Sequence, residues 1–377
     1  MSEEKLVPKL RFSGFKNLWD TYKLKDLLQN KSSNISINQL DENIGEYPLY
    51  GAGGFLKSID FYEMDCDYIS IVKDGSGVGN ISFHEKNSSI VNTSQYLLPK
   101  DNIDINFIFY LLQTINLDKY KTGSTIPHIY FKDYSIEKVH IPKLDEQSRI
   151  GFLFKNIDLK IKILEKKCQN YQEFKKYLMQ QIFTQKLRFD FTYEWDKYLL
   201  GDISIISKGF TPSTSNPDYW DGNLKWLSIA DMNQGKYINQ TTKKITYEGS
   251  KNKEPIKKGT LLMSFKLSIG KLGILNEDMY TNEAICNFQW KNKKIMTEYM
   301  YYYLSSINIL KYGSQAAKGI TLNNETLSAI PVLLPSIEEQ NKIIDILSNL
   351  DLKINMLENN INITSKFKKG LLQQMFV

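Results

Sequence analysis

Residues 141–184 read IPKLDEQSRIGFLFKNIDLKIKILEKKCQNYQEFKKYLMQQIFT, and residues 334–377 read LPSIEEQNKIIDILSNLDLKINMLENNINITSKFKKGLLQQMFV. They align without a gap at a constant offset of 193, with 18 identities in 44 positions. Among them are Pro142/Pro335, Glu146/Glu339, Gln147/Gln340, the run 158–161 against 351–354, and the matching FKK-x-L-x-QQ-x-F endings. A second echo lies upstream. Lys9-Leu10-Arg11-Phe12 with Trp19-Asp20 is answered by Lys186-Leu187-Arg188-Phe189 with Trp195-Asp196. Each half therefore reads KLRF, then Trp-Asp, then 120 or 137 dissimilar residues, then the repeated stretch. A period of about 180–190 residues is far too long for a solenoid. It marks two tandem copies of a whole domain plus a helix.

The repeated stretch carries a heptad. Ile150, Phe154, Ile157, Ile161, Leu164, Cys168, Tyr171, Lys175, Leu178 and Ile182 alternate at spacings of four and three. Ile343, Leu347, Leu350, Ile354, Leu357, Ile361, Thr364, Lys368, Leu371 and Met375 occupy the same seam in the second copy. A seam of about five heptads is a coiled-coil signature. Each helix starts just after a proline, and Ser336-Ile337-Glu338-Glu339 reads as a capping box. Some 36–40 residues make a helix about 55–60 Å long. Packing the two helices on each other buries both seams. The short link 185–191 lets the second domain start at the far end of the first helix, which favours antiparallel pairing with a domain at each end. The other arrangement open to the sequence is two separate helices, each packed on its own domain. Lys175 and Lys368 at position a either fix the register or reach out to solvent.

The chain has 377 residues, 48 Lys+Arg and 42 Asp+Glu, for a net charge of +6 and a pI near 8.8. That balance permits an acidic partner without demanding one. Hydrophobic residues at 42% and charged residues at 24% place the chain among globular proteins. Cys66, Cys168 and Cys286 are far apart and odd in number, so neither a disulfide framework nor a CxxC metal pair is expected. With only His84, His128 and His140 beside them, a structural zinc site is not expected either. The charged N-terminus MSEEKLVPKLRF lacks the apolar core of a signal peptide, and no run approaches a membrane span. The expectation is a soluble, cytoplasmic protein.

The dissimilar segments are rich in Tyr, Asn, Ser, Gly and Lys. Short apolar runs at 68–72, 79–83, 90–98, 225–229, 260–265 and 272–275 read as strands, with helical stretches at 104–119 and 297–310. Turn signals fall at Gly51-Ala52-Gly53-Gly54, Asp74-Gly75-Ser76-Gly77 and Asp221-Gly222-Asn223. The fold class is α+β: two tandem domains, 1–140 and 186–333, joined by helices 141–185 and 334–377 that form an antiparallel coiled coil. Domains alike at their ends and diverged in the middle fit a scaffold carrying two readers of different targets.

Here the chain resembles a known family, the specificity (S) subunits of type I restriction–modification enzymes. The resemblance spans nearly the full length. It rests on the tandem repeat, the P-x-x-x-E-Q starts at Pro142 and Pro335, and the helices ending in Gln180-Gln181 and Gln373-Gln374. Gly209-Phe210-Thr211-Pro212-Ser213, Tyr219-Trp220-Asp221-Gly222 and 226–232 also look like the start of a target-recognition domain, as does Tyr47-Pro48-Leu49-Tyr50-Gly51. The resemblance implies a non-catalytic subunit that reads double-stranded DNA, one half of a bipartite site per domain. The helices then set the spacer and dock two methyltransferase subunits. Those partners bind S-adenosylmethionine and methylate adenine, and two restriction subunits can join; this chain carries no cofactor.

Phosphate contact takes Lys, Arg and backbone amides, and base readout takes polar side chains on loops. In the first domain the candidates are Lys73 and Ser76, then Thr93, Ser94, Gln95 and Tyr96, then Lys121, Ser124, Thr125 and His128. In the second they are Thr211, Ser213 and Thr214, then Ser264, Lys266, Ser268 and Lys271, then Asn282, then Gln315 and Lys318. Each loop is also readable as an ordinary hairpin turn with a solvated lysine. Gly75-Ser76-Gly77-Val78-Gly79 lacks the Lys-Ser/Thr of a phosphate-binding loop. Asn216-Pro217-Asp218-Tyr219 resembles the catalytic Asn-Pro-Pro-Tyr of adenine methyltransferases, but Asp218 replaces a proline, and the reading is a turn. Tyr299 and 301–303 read as core. Two other functions stand beside the leading one: a structural coiled-coil adaptor and a self-contained DNA methyltransferase or nuclease.

Overall fold

The structure, a computed structural model, describes residues 7–40, 43–189, 193–266, 268–316 and 319–377. The chain forms two compact units, residues 1–166 with 357–377 and residues 167–356. Each unit therefore takes a stretch of both long helices, Leu144–Phe183 and Ile337–Met375.

In unit one, Leu28–Ser32, Ser94–Pro99, Tyr68–Val72 and Ile81–His84 lie side by side in that order as an antiparallel sheet. All five residues of Tyr68–Val72 are buried, as a continuous apolar run in a covered strand requires. A smaller sheet orders Gly54–Ile59, Tyr47–Gly51 and Ser89–Ile90. Its hairpin turns at Gly51–Gly54, and its other pairing is parallel. The helix Ile105–Thr114 shares its core with the larger sheet: Phe107, Ile108 and Leu111 are buried with Ile69, Ile71 and Leu97.

Unit two repeats this plan with different residues. Ser204–Lys208, Ile285–Trp290, Leu261–Ser264 and Leu272–Leu275 take the same four places, and Tyr237–Ile238 adds a fifth strand. Lys243–Ile245, Trp220–Leu227 and Tyr280–Thr281 form the smaller sheet. The helix Thr297–Ser306 stands where Ile105–Thr114 does, with Tyr299, Met300, Tyr302, Tyr303 and Leu304 in the core.

The repeated sequence marks have repeated structural tasks. The arginine of KLRF reaches the glutamate of P-x-x-x-E-Q. Arg11 donates from Nε and Nη2 to the two carboxylate oxygens of Glu146, at 2.6 and 2.7 Å. Arg188 does the same to Glu339, at 3.4 and 2.9 Å. The neighbouring glutamine holds the start of the short helix. Gln147 accepts from Asp104 N and donates to Pro142 O, and Gln340 accepts from Met296 N and donates to Pro335 O. Asp104 and Met296 are the N-cap residues of those helices, whose first amides have no partner inside the helix. The Trp-Asp pair anchors a strand. Trp19 and Trp195 are buried, while Asp20 pairs with Ile141 and Asp196 with Leu334 at the strand that enters each long helix. In unit two, Leu187 N donates to Gln181 O along the chain; in unit one, Leu10 N donates to Gln374 O. KLRF thus follows a Gln-Gln helix end in both units, although in unit one the two are at opposite ends of the chain.

All the predicted seam positions of both long helices are buried or half-buried, including Ile150, Ile157, Ile161, Leu164, Leu178, Ile343, Leu350, Ile354, Leu357 and Leu371. In unit one Phe154 meets Phe376 with ring centroids 5.8 Å apart, and Asp158 meets Lys368. The two stretches there run in opposite directions. In unit two Lys175 meets Asp351, while Ile182 and Phe183 share a core with Ile343 and Leu347, again antiparallel.

Several element boundaries differ from expectation. The strand read over 90–98 is broken by a turn at 91–93, where Ser94 N donates to Val91 O. The β-branched Ile90-Val91 pair concealed that break. Asp221-Gly222-Asn223 is no hairpin turn: it lies within the strand Trp220–Leu227, whose register shifts between Trp220 and Leu224. The two short helices end at Thr114 and Ser306, and each is followed by a separate 3-10 turn.

Candidate nucleic-acid interface

Three loops expected to read DNA meet in unit one. The central strand Tyr68–Val72 delivers the chain into loop 73–80, where Gly75, Gly77 and Gly79 all adopt positive φ. Side chains beyond Cα strain that conformation, so the glycine pattern is explained by the turn itself. Lys73 N and Asp74 N donate to Thr93 O at 2.9 and 3.2 Å. Gly75 N donates to Pro127 O, and Ile129 N donates to Lys73 O. Thr122 and His128 exchange backbone hydrogen bonds. His128 Nδ1 lies 2.7 Å from Asp74 Oδ1, an ion pair when the ring is protonated.

The result is one polar surface. Ser76, Thr93, Lys121, Ser124 and Thr125 are exposed on it, with Lys73 and His128 half-buried at its base. The sequence reading missed Ile126, Tyr130 and Lys132 beside them. Tyr130 is exposed, stacks parallel to His128 at 6.3 Å, and carries Lys132 Nζ over its ring at 5.6 Å. An exposed ring flanked by a cation suits base stacking and phosphate contact together. The available signal was an aromatic two residues beyond a loop histidine.

Three candidates are corrected. Ser94, Gln95 and Tyr96 open the strand Ser94–Pro99 and are buried. Tyr96 is 0% exposed; its hydroxyl donates to Glu63 and accepts from Ile90 N. Their side chains are covered by the fold and are not placed to meet a ligand at the surface.

Unit two brings the counterparts of loops 73–80 and 91–93 together with a different third loop, 209–215. Gly209 N donates to Ile285 O and Phe210 N to Thr281 O. A Cβ on Gly209 would lie 2.1 Å from Thr281 O, so only glycine permits this approach. Thr211 donates to Glu283, and Asn282 Nδ2 lies 3.5 Å from Thr211 Oγ1. Trp226 and Trp220 tether the same loop by donating to Phe210 O and Ser213 O. Ser213 and Thr214 are exposed, and Ser213 bonds to Ser215. Lys266 and Ser268 are exposed on the neighbouring loop, and Lys271 Nζ donates to Asn233 Oδ1 at 2.8 Å. Ser264 is a further correction. It is 0% exposed, donates to Ser268 O and accepts from Lys271 N, so it shapes the loop from beneath. Gln315 lies in the strand Ser314–Ala316, and Lys318 lies outside the described residues.

Asp231 is buried under this region. Burial alone raises its pKa, but hydrogen bonds from Ser228 and Thr242 outweigh that and hold it below the usual carboxylate range. Asn216-Pro217-Asp218-Tyr219 is a 3-10 turn capped by Asn216, whose side chain accepts from Asp218 N. Tyr299, Tyr302 and Tyr303 are core residues, as read. Among the described residues, no group of three or more His, Cys, Asp or Glu is placed to hold a metal ion, and no helix is long and apolar enough to cross a membrane.

Comparison with known proteins agrees with this architecture. The chain is 23% identical over 394 residues to the type I restriction enzyme MjaVIII specificity subunit of Methanocaldococcus jannaschii, covering 94% of this chain and 91% of that protein. It is 30% identical over 193 residues to the MjaIX specificity subunit of the same organism, a match spanning 49% of this chain and 44% of that protein. The S subunit of a type I restriction–modification system from M. genitalium has the same fold. Its TM-score is 0.70 at 17% identity, covering 98% of this chain and 99% of that one. The family described as the type I restriction modification DNA specificity domain matches residues 16–170 and again residues 193–364, one copy in each half, and the chain belongs to that family.

Proposed function

We propose that this chain is the DNA-recognition subunit of a type I restriction–modification complex, with each domain reading one half of a bipartite target. The observation that carries this reading is the repetition of one sheet plan with different loop residues. Both units gather three loops, two of them at corresponding strands, and the loops differ in chemistry: Lys73, Thr93, Lys121 and His128 in one, Thr211, Ser213, Lys266 and Asn282 in the other. A shared scaffold with two unlike polar surfaces suits two unlike half-sites.

Residues 1–140 and 186–333 are then the recognition domains, and 141–185 and 334–377 the helices that connect them. We infer that the helices form one antiparallel coiled coil that sets the spacer between half-sites. The opposed ion pairs within each unit and the continuously covered seam support this. The same helices offer a docking flank. Leu159, Ile163, Ile363 and Phe367 in unit one, and Phe174, Tyr177, Leu352 and Met356 in unit two, are exposed at heptad positions c, f and g. In an antiparallel pair these positions share one flank. One such patch per unit fits two methyltransferase subunits. Those partners bind S-adenosylmethionine and transfer the methyl group to adenine; two restriction subunits add cleavage. This chain contributes no catalysis and works in the cytoplasm.

The test is binding and turnover by the purified chain with and without methyltransferase subunits. The complex should bind its site far more tightly than the chain alone, and affinity should fall steeply with salt as phosphate contacts release counterions. Methyl transfer or cleavage by the isolated chain would overturn the reading.

A further inference from the structure

The lysines at position a of both long helices have a fixed partner. In unit one, Lys368 Nζ lies 2.6 and 2.8 Å from the two oxygens of Asp158. Tyr110 of the short helix donates its hydroxyl to Asp158 Oδ2 at 2.8 Å. Lys368 also sits over the Tyr110 ring, 5.1 Å from its centre. In unit two, Lys175 donates to Asp351, and Tyr302 donates to Asp351 Oδ2 at 2.6 Å. Lys175 sits over the Tyr302 ring at 5.2 Å. One aspartate thus gathers a lysine from the other long helix and a tyrosine from the domain.

The two triads are copies. Asp158 and Asp351 are 193 residues apart, as are Lys175 and Lys368, and Tyr110 and Tyr302 are 192 apart. The arrangement is crossed. Unit one takes its aspartate from the first long helix and its lysine from the second, and unit two does the reverse. When Ile105–Thr114 is laid on Thr297–Ser306 from their N-caps, only Tyr110/Tyr302 and Leu112/Leu304 are identical. The tyrosine is one of two residues that these diverged helices share.

We propose that Tyr110–Asp158–Lys368 and Tyr302–Asp351–Lys175 are positioning residues for target recognition: within its unit, each triad fixes the register of the two long helices and seats the domain's short helix on it. An apolar seam that repeats every seven residues does not distinguish one register from the next, whereas a polar group at position a does so at a cost in stability. Sliding either long helix by a turn moves its residues about 5.4 Å and breaks the Lys–Asp contact together with the contact its aspartate or lysine makes to the tyrosine. The side chains are only 18–36% exposed, so water and salt screen them less than a surface pair. Unit two adds Lys236, 3.3 Å from the Tyr302 hydroxyl and 3.1 Å from Ser348 Oγ.

Its consequence for DNA rests on the function proposed above, so the test has two readouts. In the complex with methyltransferase subunits, Asp158→Lys and Lys368→Asp are compared with the double exchange, and Lys175→Asp and Asp351→Lys likewise. The first readout is a thermal-melting cycle: each single variant should lower Tm, and the exchange should regain most of the loss. Additive losses would overturn the clamp, whatever the chain does with DNA. The second readout is the gap in the methylated target. Single variants should cut methylation at the wild-type gap by at least about fivefold or spread it over several gaps, and the exchange should restore a single gap. Single variants that keep both gap and rate would overturn the positioning role. If a single variant fails to assemble, Tyr110→Phe with Tyr302→Phe removes only the hydroxyls and should still reduce the rate at the wild-type gap; an unchanged rate would overturn the proposal. A wild-type complex that methylates no bipartite site would refute the function and leave the melting cycle to judge the clamp.

Discussion

His84 shows how burial changes what a residue does. Its ring stacks on Tyr68 at 5.0 Å, and Nε2 lies 2.8 Å from Ser70 Oγ. Burial pushes its pKa down from 6.5 to about 4. The unfolded chain therefore takes up a proton below about pH 6.5, while the folded chain stays neutral until about pH 4. Stability is thus lost as pH falls through that window, by about 2 kcal/mol between pH 6.5 and 5. His84→Gln should flatten this acid loss, measured as the stability difference of unit one between pH 7.5 and 5; equal losses in both proteins would contradict it. At this scale the sequence was only partly legible. Lys73, Ser76, Thr93 and Lys121 were readable as loop residues because glycines and polar runs mark turns locally. Tyr96 is misread because its partner Glu63 lies 33 residues away, Ser94 and Gln95 because the strands that bury them are distant in the chain, and Ser264 because a serine beneath a loop reads like one on it. Tyr130 carries one local mark, its place two residues beyond His128, and a core tyrosine can hold that place too.

Among the elements, the Arg–Glu pairs join the start of each domain to the start of its long helix. Glu146 and Glu339 are each 2% exposed, so removing the arginine leaves a buried carboxylate unpaired. Arg11→Met should destabilise the protein by about 3–5 kcal/mol. Arg188→Met should cost less, because the Arg188–Glu339 contacts are longer. Urea unfolding of the two variants checks both size and order, and a loss under about 1 kcal/mol for Arg11→Met would contradict the role. The long helices were legible almost to the residue, since a heptad is a local pattern and needs no knowledge of the partner. The strands at 68–72 and 272–275 were legible for a similar reason, being short apolar runs closed by turn signals. The pairing order of the sheets was not, because it joins strands such as Leu28–Ser32 and Ser94–Pro99, which lie more than sixty residues apart.

For the whole molecule, duplication is the organising fact. The ends of each copy kept their residues because they hold shared joints: Arg11 and Arg188, Gln147 and Gln340, Trp19 and Trp195. The middles kept their sheet order and changed their loops, as two readers on one scaffold require. A net charge of only +6 over 377 residues fits the proposal that methyltransferase partners supply part of the grip on DNA while this chain reads the two half-sites. The most direct test of that claim is to map methylated adenines across the genome of cells carrying this chain with its methyltransferase partners. One bipartite motif with a fixed gap, lost when the chain is removed, is the predicted result. Methylation at a single uninterrupted motif, or a pattern unchanged by removing the chain, would contradict it.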